Sequence, residues 1–273
     1  MTEQDKINKR IVIEKKLAEY DGEDKVISSN ELFKILIEKS KTKRFVSLQS
    51  GLPTLDNLIH SFDGGELTTI SGTTGHGKTL LAQTFTANFA ERGKLPLWFT
   101  YEVSALQFLR QFGENIPHFY MPSMLKSTTL EWIYQRILET KLKYGVEAVF
   151  IDHLHFLADI MMSNYPSMDI GRVMRKLKSW CVELNICFFL IAHTTKIKMD
   201  KADKELELGD IRDSSFVEQE SDNVFYLWRK KKNDTEATLK IVKNRRFGVR
   251  DKKILIHKEG NFLKETEFKY EDD

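Results

Sequence analysis

The sequence predicts an α/β fold in which a mostly parallel, twisted sheet is flanked by helices and closed by an antiparallel β-hairpin. From Phe45 onward, short apolar runs alternate with amphipathic stretches of helical period, as in strands that cross over through helices. A glycine-rich turn joins the apolar run ELTTIS to the helical stretch TLLAQTFTANFAERG. After Trp228 the runs TEATLKIVK and DKKILIHK flank the basic turn NRRFGVR, which indicates the hairpin.

The individual elements follow from the length and period of each run. The strands are predicted at Leu67–Ser71, Leu97–Tyr101, Ala148–Asp152, Cys187–Ala192 and Asn223–Trp228. The helices between them are predicted at Lys78–Arg92, Ala105–Phe112, Leu130–Tyr144, Ile170–Leu184 and Phe216–Ser221. The polar stretch Thr194–Glu207 is expected to be a loop.

Composition restricts the possible partners and compartment. The 273 residues carry 42 Lys and Arg against 40 Asp and Glu, so the net charge of +2 leaves nucleic-acid affinity to local patches. Cys181 and Cys187 lie in apolar surroundings without disulfide or metal spacing, so we expect them reduced in a core. The amino terminus lacks a signal-peptide pattern and no apolar run is long enough to cross a membrane, which predicts a cytoplasmic protein.

The polar first part of the chain predicts a helical extension at 1–43, followed by one domain at 44–265 and an acidic tail at 266–273. Within the extension, a helix with candidate caps at Ser28 to Asn30 carries an apolar stripe. The stripe consists of Leu32, Phe33, Leu36 and Ile37. So short a segment packs this stripe either on its own chain or on a neighbouring subunit.

The strongest motif is a complete phosphate-binding loop, G-x-x-x-x-G-K-T, between a strand and a helix. It consists of Gly72, Thr73, Thr74, Gly75, His76, Gly77, Lys78 and Thr79. The glycines let backbone N–H groups face phosphates, Lys78 supplies a positive charge, and the Thr79 hydroxyl suits Mg²⁺. The loop therefore predicts a nucleoside triphosphate, ATP, with Mg²⁺ as cofactors.

Carboxylates end two later strands. Asp152 closes the apolar strand EAVFID, where it can hold the metal or its water beside the phosphates. Glu102 follows the strand LPLWFTY and would polarise the attacking water if that strand adjoins the strand before the phosphate loop. The alternative for Glu102 is a surface residue that favours the amino end of the helix near Ser104.

Histidines follow the same strand ends. His193 ends the strand CFFLIA, where it can hydrogen-bond the γ-phosphate, although a strand-end His is more often structural. His153 and His155 follow Asp152 and, with His193, could suggest a transition-metal site, but neither a Cys nor a further His joins these three with ligand spacing. We therefore expect an oxygen-ligated Mg²⁺ and no structural zinc.

Basic residues concentrate near the carboxyl terminus, from Arg229 to Lys253. Most suit a solvated hairpin face. Lys243 and Arg245 are predicted to share a strand face next to the turn, which suits an arginine finger that reaches a triphosphate held by another subunit.

Together these segments resemble the RecA-like motor domain of the DnaB family of hexameric replicative helicases, including Twinkle, phage and plasmid RepA-type relatives. The resemblance covers about residues 45–263. It is carried by SGLPTLDNLIHSFDGGELTTISGTTGHGKT, FTYEVS, FIDHLHFL, LGDIRDSSFVEQESDNVFYLWR and LKIVKNRRFG. The later segments separate it from recombinases of the same superfamily.

The resemblance implies an ATP-dependent DNA helicase that moves on single-stranded DNA as a homo-hexamer and cooperates with a helicase loader and a primase. It implies that Lys78 and Thr79 bind phosphate and Mg²⁺, that Glu102 activates water, that Asp152 supports the metal, that His193 senses phosphate, and that Lys243 and Arg245 act on a neighbour's nucleotide. It also implies that Arg212, Asp213 and Ser215 hold the DNA strand. A salt bridge to Asp210 or Asp213 is the alternative for Arg212.

The chain departs from the family pattern at three histidines and at its amino terminus. His193 stands where bacterial members usually carry Gln, whereas Twinkle-like and phage relatives carry His. His153 and His155 replace the usual Tyr and Gln. The family's primase-contacting domain has no counterpart here, and the segment from Asn30 to Lys41 stands in place of the linker helix that docks on the adjacent motor.

Two other functions fit a RecA-like ATPase. One is a recombinase or mediator that remodels DNA without unwinding it, which strand-exchange assays would identify. The other is a regulatory ATPase that controls protein assembly, but a residue such as Glu102 that activates water argues against it.

Overall fold

The computed structural model describes residues 3–22, 25–42, 45–157, 166–193, 214–229 and 235–266. The chain divides into two compact units, Met1–Phe45 and Val46–Asp273. The loop predicted at Thr194–Glu207 lies outside the described residues, as does the acidic tail beyond Thr266.

The first unit contains two helices, α1 (Glu3–Ala18) and α2 (Ser29–Thr42). The Ser28 hydroxyl accepts a hydrogen bond from the Glu31 amide at 3.2 Å, which caps the start of α2. The predicted apolar stripe on α2 is between 42% and 64% exposed. Docking of this stripe on a neighbouring subunit stays a prediction.

The described part of the second unit forms an eight-stranded sheet and a small two-stranded one. The small sheet pairs β1 (Ser47–Leu48) with β2 (Phe62–Asp63). The strands of the large sheet are β3 (Leu67–Gly72), β4 (Pro96–Thr100), β5 (Ala148–Asp152), β6 (Cys187–His193), β7 (Asn223–Trp228), β8 (Glu236–Asn244), β9 (Lys252–Glu259) and β10 (Phe262–Glu265). Their order across the sheet is β10-β9-β8-β7-β3-β6-β5-β4.

The five strands from β3 to β7 pair in parallel, and β8 to β10 continue the sheet antiparallel. This confirms the predicted mixed sheet. β3 lies between β6 and β7 and is buried along its whole length, because helices cover both faces of a parallel sheet. The phosphate loop therefore leaves the sheet at its centre.

The five helices predicted in the second unit are present with ends that differ from the prediction, and a further helix at Pro53–Ile59 was not predicted. The helices of this unit are α3 (Pro53–Ile59), α4 (Lys78–Glu91), α5 (Ala105–Arg110), α6 (Leu130–Tyr144), α7 (Pro166–Leu184) and α8 (Ser214–Glu220), with a 3₁₀ turn at Leu154–Phe156. A capping box at Ser104 starts α5, and Gly145 in the left-handed conformation ends α6. α7 begins at Pro166, before the predicted Ile170, because apolar residues recur at helical spacing only from Ile170 onward.

Apolar side chains form a core on each face of the large sheet. On one face, the rings of Trp98 and Phe150 stack with centroids 4.7 Å apart, and those of Phe150 and Phe189 stack at 4.6 Å. Phe85 and Phe89 of α4 pack on the same cluster. Cys181 and Cys187 are free and buried, as predicted. Among the described residues, the helices lack the combination of length and hydropathy needed to cross a bilayer.

The structure differs from the strand predictions in three respects. The strand before Glu102, β4, does not adjoin β3 but lies at the sheet edge beyond β6 and β5. The predicted closing hairpin is confirmed as β8 and β9, and a third strand, β10, extends it by pairing with β9. Arg245 does not share a strand face with Lys243, because β8 ends at Asn244 and Arg245 begins the turn. Order across a sheet depends on long-range pairing, which periodicity along the chain does not specify.

Candidate nucleotide-binding site

The phosphate loop connects the end of β3 to the start of α4 and depends on glycine geometry. Gly72, Gly75 and Gly77 all have positive φ, and Gly77 caps α4 at φ 101°. A Cβ atom on Gly72 would lie 2.2 Å from the carbonyl oxygen of Leu227 in β7. The loop therefore leads into the amino end of α4, where the first N–H groups of a helix lack intrahelical acceptors and can bind an anion.

Lys78 lies buried beneath this loop. Its Nζ donates to the carbonyl oxygens of Gly72 at 2.8 Å and Thr73 at 3.1 Å. Burial lowers the pKa of Lys78 to about 8, and the carboxylates of Asp152 and Glu102 oppose that shift. An ammonium group has three donors, so Lys78 stays charged at neutral pH and keeps one donor for a phosphate oxygen.

Thr79 and Asp152 join the loop to the neighbouring part of the sheet. The Thr79 hydroxyl donates to Oδ2 of Asp152 at 2.8 Å, although β5 is two strands away from β3. Oδ1 of Asp152 is buried and has no hydrogen-bond partner within the described residues. Burial raises the pKa of Asp152 to about 6, and the Thr79 hydroxyl partly offsets this. A hydroxyl beside a buried carboxylate with a vacant oxygen fits Mg²⁺, which prefers oxygen ligands.

Glu102 reaches this site from the sheet edge. β4 pairs with β5 in parallel so that Thr100 lies opposite Asp152, which places the residues after β4 beside the carboxyl end of β5. Donor atoms of Glu102, His153 and His193 lie within 4.8 Å of one another. Glu102 itself is exposed. The structure thus brings Glu102 to the predicted place although its strand is not the predicted neighbour.

His193 links β6 to the loop. It lies opposite Gly72 in the parallel pairing of β3 and β6, and its Nδ1 is 3.3 Å from the Thr74 hydroxyl. Burial, and then the Lys78 charge, lowers the pKa of His193 to about 4. His193 is therefore a neutral imidazole at neutral pH, in contact with the loop whose ligand it is predicted to sense.

His153 packs against His193 with ring centroids 4.1 Å apart. Burial, and then the two neighbouring histidines, lowers the pKa of His153 to about 3. Along the sequence, neither a Cys nor a further His stands near these histidines with ligand spacing. The structure adds a carboxylate, that of Glu102, to the pair.

Arg229 is a residue of this site that the sequence analysis left within the general basic cluster. It follows β7 directly, and its amide donates to Nδ1 of His76 at 3.0 Å. Its guanidinium lies 3.2 Å from the position of a Cβ on Gly77. Its place directly after the strand NVFYLW is the sequence signal that could have identified it. An adjoining groove of about 380 Å³ is lined by Trp228, Arg229, Thr235, Glu236, Ala237, Thr238 and Leu255.

A larger groove lies elsewhere in the described part of the chain. It has a volume of about 940 Å³, lies between α4 and β10, and is lined by none of the phosphate-loop residues. We therefore place the nucleotide by the loop geometry and not by groove size.

Lys243 and Arg245 lie at the opposite ends of the strands from the phosphate loop. Asn244 pairs with Asn223, which pairs with Thr68 near the start of β3. At about 3.3 Å per residue, this level is roughly 13 Å from Gly72. Lys243 donates to the carbonyl of Glu218, and Arg245 to that of Gln219, at the carboxyl end of α8. The structure does not bring this pair to the chain's own phosphate loop.

Of the three residues predicted to contact DNA, the structure describes only Ser215. Arg212 and Asp213 lie outside the described residues, and Ser215 falls in the first turn of α8. Their role stays a prediction.

Comparison with known proteins places the chain in a family. A family model described as the DnaB-like helicase C-terminal domain matches residues 118–264, and one described as the KaiC ATPase matches residues 48–121. The probable plasmid replicative DNA helicase of Chlamydia psittaci is 24% identical over 72% of this chain and 51% of its own length. The replicative DNA helicase DnaB of Treponema pallidum is 26% identical over 73% and 52%. This chain spans about half the length of these two relatives.

Solved structures share the fold. One of them, an ATPase domain, superimposes with a TM-score of 0.75 at 18% identity, covering 89% of this chain and all of that one. A DnaB-like replicative helicase, whose structure was solved to describe its interactions with primase, superimposes with a TM-score of 0.71 at 18% identity, covering 97% and 72%. The model of the DnaB-like helicase C-terminal domain matches more than half of the residues of this chain, which therefore belongs to the DnaB-like helicase family.

Proposed function

We propose that this protein hydrolyses ATP and uses the energy to move on single-stranded DNA and unwind duplex DNA during replication. The observation that carries the proposal is the 2.8 Å contact between Thr79 and Asp152. It joins a phosphate loop to a carboxylate with a buried oxygen that lacks a hydrogen-bond partner among the described residues, and the charges of Lys78 and Glu102 both act on this carboxylate. Family membership supports a DNA motor over the two alternatives.

Each residue of the site has a task in hydrolysis. Thr79 and Asp152 would hold Mg²⁺, which supplies charge stabilisation to the phosphates when bound. The loop amides and Lys78 bind the phosphate oxygens, and Lys78 already has its ammonium group beneath the loop. Glu102, exposed at the strand end, orients the attacking water and accepts its proton. Arg229, which lies beside Gly77, and the groove next to it would contact the nucleoside.

His193 would report the state of the γ-phosphate. It contacts Thr74 of the loop, and the chain continues from it toward the predicted DNA-binding residues. Loss of the γ-phosphate would change the hydrogen bonding of His193 and shift the segment that follows. Arg212, Asp213 and Ser215 would then change their grip on the DNA backbone.

The motor would work as a ring, proposed here as a hexamer. Lys243 and Arg245 lie near the amino-terminal end of β3, whereas the chain's own phosphate loop follows its carboxyl-terminal end. They would therefore act on the triphosphate of an adjacent subunit. In such a ring the α2 stripe would dock on a neighbouring subunit. A helicase loader and a primase are the proposed protein partners.

The proposal is tested by the ATP hydrolysis rate of the purified protein with and without single-stranded DNA. We expect a large stimulation by DNA, absent in Lys78→Ala, and displacement of the strand from a forked duplex in the presence of ATP. Hydrolysis indifferent to DNA would favour the regulatory ATPase. DNA-stimulated hydrolysis with strand exchange and without strand displacement would favour the recombinase.

A further inference from the structure

Three side chains with metal-binding donors meet at the carboxyl edge of the sheet. Glu102 follows β4, His153 follows β5, and His193 ends β6, and these three strands are adjacent in the sheet. One carboxylate oxygen and one nitrogen from each ring all lie within 4.8 Å of one another. Sequence positions separated by about 50 and 40 residues thus form one cluster.

We propose that Glu102, His153 and His193 form a binding site for a transition-metal ion such as Zn²⁺, separate from the Mg²⁺ site of Thr79 and Asp152. Two imidazoles and one carboxylate are a ligand set that binds Zn²⁺ in proteins and leaves a position open for water. Mg²⁺ prefers oxygen ligands, so this set selects against it. The site belongs to the nucleotide-free protein.

The donor atoms need little movement to reach ligand distances. Tetrahedral ligands about 2.0–2.1 Å from Zn²⁺ are roughly 3.4 Å apart, so separations within 4.8 Å must shorten by at most about 1.4 Å. His153 is only 8% exposed and its ring is held against His193, whereas Glu102 is exposed and can rotate. The two packed rings, of which that of His153 is buried, supply a fixed part of the site, and Glu102 supplies the adjustable part.

The hydrogen bonds of the two rings are compatible with ligation. The Thr74 hydroxyl lies 3.3 Å from Nδ1 of His193 and can accept a hydrogen bond from the Nδ1–H group, which leaves Nε2 for the metal. Metal-ligating histidines commonly hold their other ring N–H in this way. For His153, Nδ1 accepts from the His155 amide at 3.3 Å, a long bond whose loss costs little.

The charges around the site permit a cation. The Lys78 ammonium acts on both rings and disfavours a metal ion. The negative charges of Glu102 and Asp152 interact with the Lys78 ammonium in turn. The two carboxylates and the one ammonium together carry about one negative charge. The Lys78 ammonium also donates to two loop carbonyls, which holds it beneath the loop.

A metal ion here would engage the residue proposed to activate water and the residue proposed to sense the γ-phosphate. We therefore expect it to compete with nucleotide and to inhibit hydrolysis. This competition rests on the proposed function, whereas metal binding itself does not.

The test is a titration of the nucleotide-free full chain with Co²⁺, whose visible absorption reports its ligands, followed by displacement with Zn²⁺. We expect one ion per chain with a four- or five-coordinate spectrum. Glu102→Gln, His153→Gln and His193→Gln should each weaken binding at least about tenfold. His118→Gln, a histidine of the same domain outside the cluster, is the matched control and should bind as the unaltered chain does.

Circular dichroism of each variant shows whether it folds, and Glu102→Gln changes an exposed side chain, so at least one informative variant is expected to fold. Unchanged Co²⁺ binding in the three cluster variants, or no stoichiometric binding to the unaltered chain, would overturn the site. Addition of Mg²⁺ with a non-hydrolysable ATP analogue should release the Co²⁺. Binding that is lost in the variants but insensitive to the analogue would support the site and overturn the competition.

Discussion

Arg245 donates a hydrogen bond from Nη1 to Oδ1 of Asp222 at 2.9 Å. The other carboxylate oxygen of Asp222 accepts from Lys178 at 2.6 Å and from the Leu67 amide at 2.8 Å. Asp222 thereby ties Arg245 to the first residue of β3, while the phosphate loop follows the last one. Arg245 is held at the far end of the strand from its own nucleotide, so a catalytic task for it requires a second subunit.

Arg245→Ala should reduce ATP hydrolysis by the assembled protein by on the order of 10³-fold, because an arginine finger stabilises the charge of the transition state. Nucleotide affinity of the dilute, unassembled chain should stay unchanged. Fluorescent-nucleotide binding and steady-state hydrolysis measure the two effects. Arg250→Ala, in the same basic turn, is the control and should hydrolyse ATP normally.

Mixing inactive variants gives a sharper test of action in trans. A ring that combines Lys78→Ala and Arg245→Ala subunits contains interfaces in which an intact loop faces an intact Arg245. We therefore expect hydrolysis to rise on mixing above that of either variant alone. No recovery, in mixtures shown by size to co-assemble, would indicate that Arg245 acts within its own chain.

Glu102→Gln should lower kcat for ATP by at least about 100-fold, because the amide cannot accept the proton of the attacking water. The dissociation constant for ATP should change little, since Lys78 and the loop remain. Stopped hydrolysis with retained binding would appear as a trapped ATP complex. Glu114→Gln, on an exposed turn of the same domain, should have no effect.

Gly72→Ala should destabilise the protein by about 2 to 4 kcal/mol, because its Cβ would lie 2.2 Å from a backbone carbonyl of β7 that cannot move without separating the strands. Gly93→Ala is the matched control. Gly93 also has positive φ but has nothing within 4 Å of its Cβ position, so we expect a cost of about 1 kcal/mol. Urea unfolding of the three proteins measures the difference, and equal costs would contradict the steric argument.

Glu66 should make the stability of the protein depend on pH near neutrality. Burial raises its pKa from 4.5 to about 7, with the nearby Asp222 adding to the shift and Asn223 and Lys178 opposing it. Arg246 Nε lies 3.5 Å away and also favours the charged form, yet burial dominates. Because the folded-state pKa is the higher one, the stability from protonated Glu66 is complete below about pH 4.5 and is lost as pH rises through about 7.

Glu66→Gln should therefore be more stable than the unaltered chain above pH 7, by about 1 to 3 kcal/mol, with the difference fading toward pH 5. The amide oxygen can keep the hydrogen bond from the Asp63 amide. Free energies of unfolding between pH 5 and 8.5 measure this, with the exposed Glu91→Gln as control. A difference that is constant across the range would show that ionisation of Glu66 is not its cause.

The sequence alone predicted the fold class, the position of the parallel strands and the phosphate loop. These features depend on local signals: the period of apolar residues, and a glycine motif whose spacing is set by backbone geometry. Asp152 was also predictable, because a carboxylate that ends a buried strand after such a loop has few structural explanations.

Tertiary structure decided which strand ends meet. β4 lies at the sheet edge and not beside β3, so Glu102 reaches the site through its pairing with β5. The same order of strands joins Glu102 to His153 and His193, a cluster that spacing along the chain did not indicate. It also placed Arg229 against the loop and Arg245 at the opposite ends of the strands. Local patterns specify each element, but the order of strands follows from packing between residues far apart in sequence, and only that packing determines which side chains share a site.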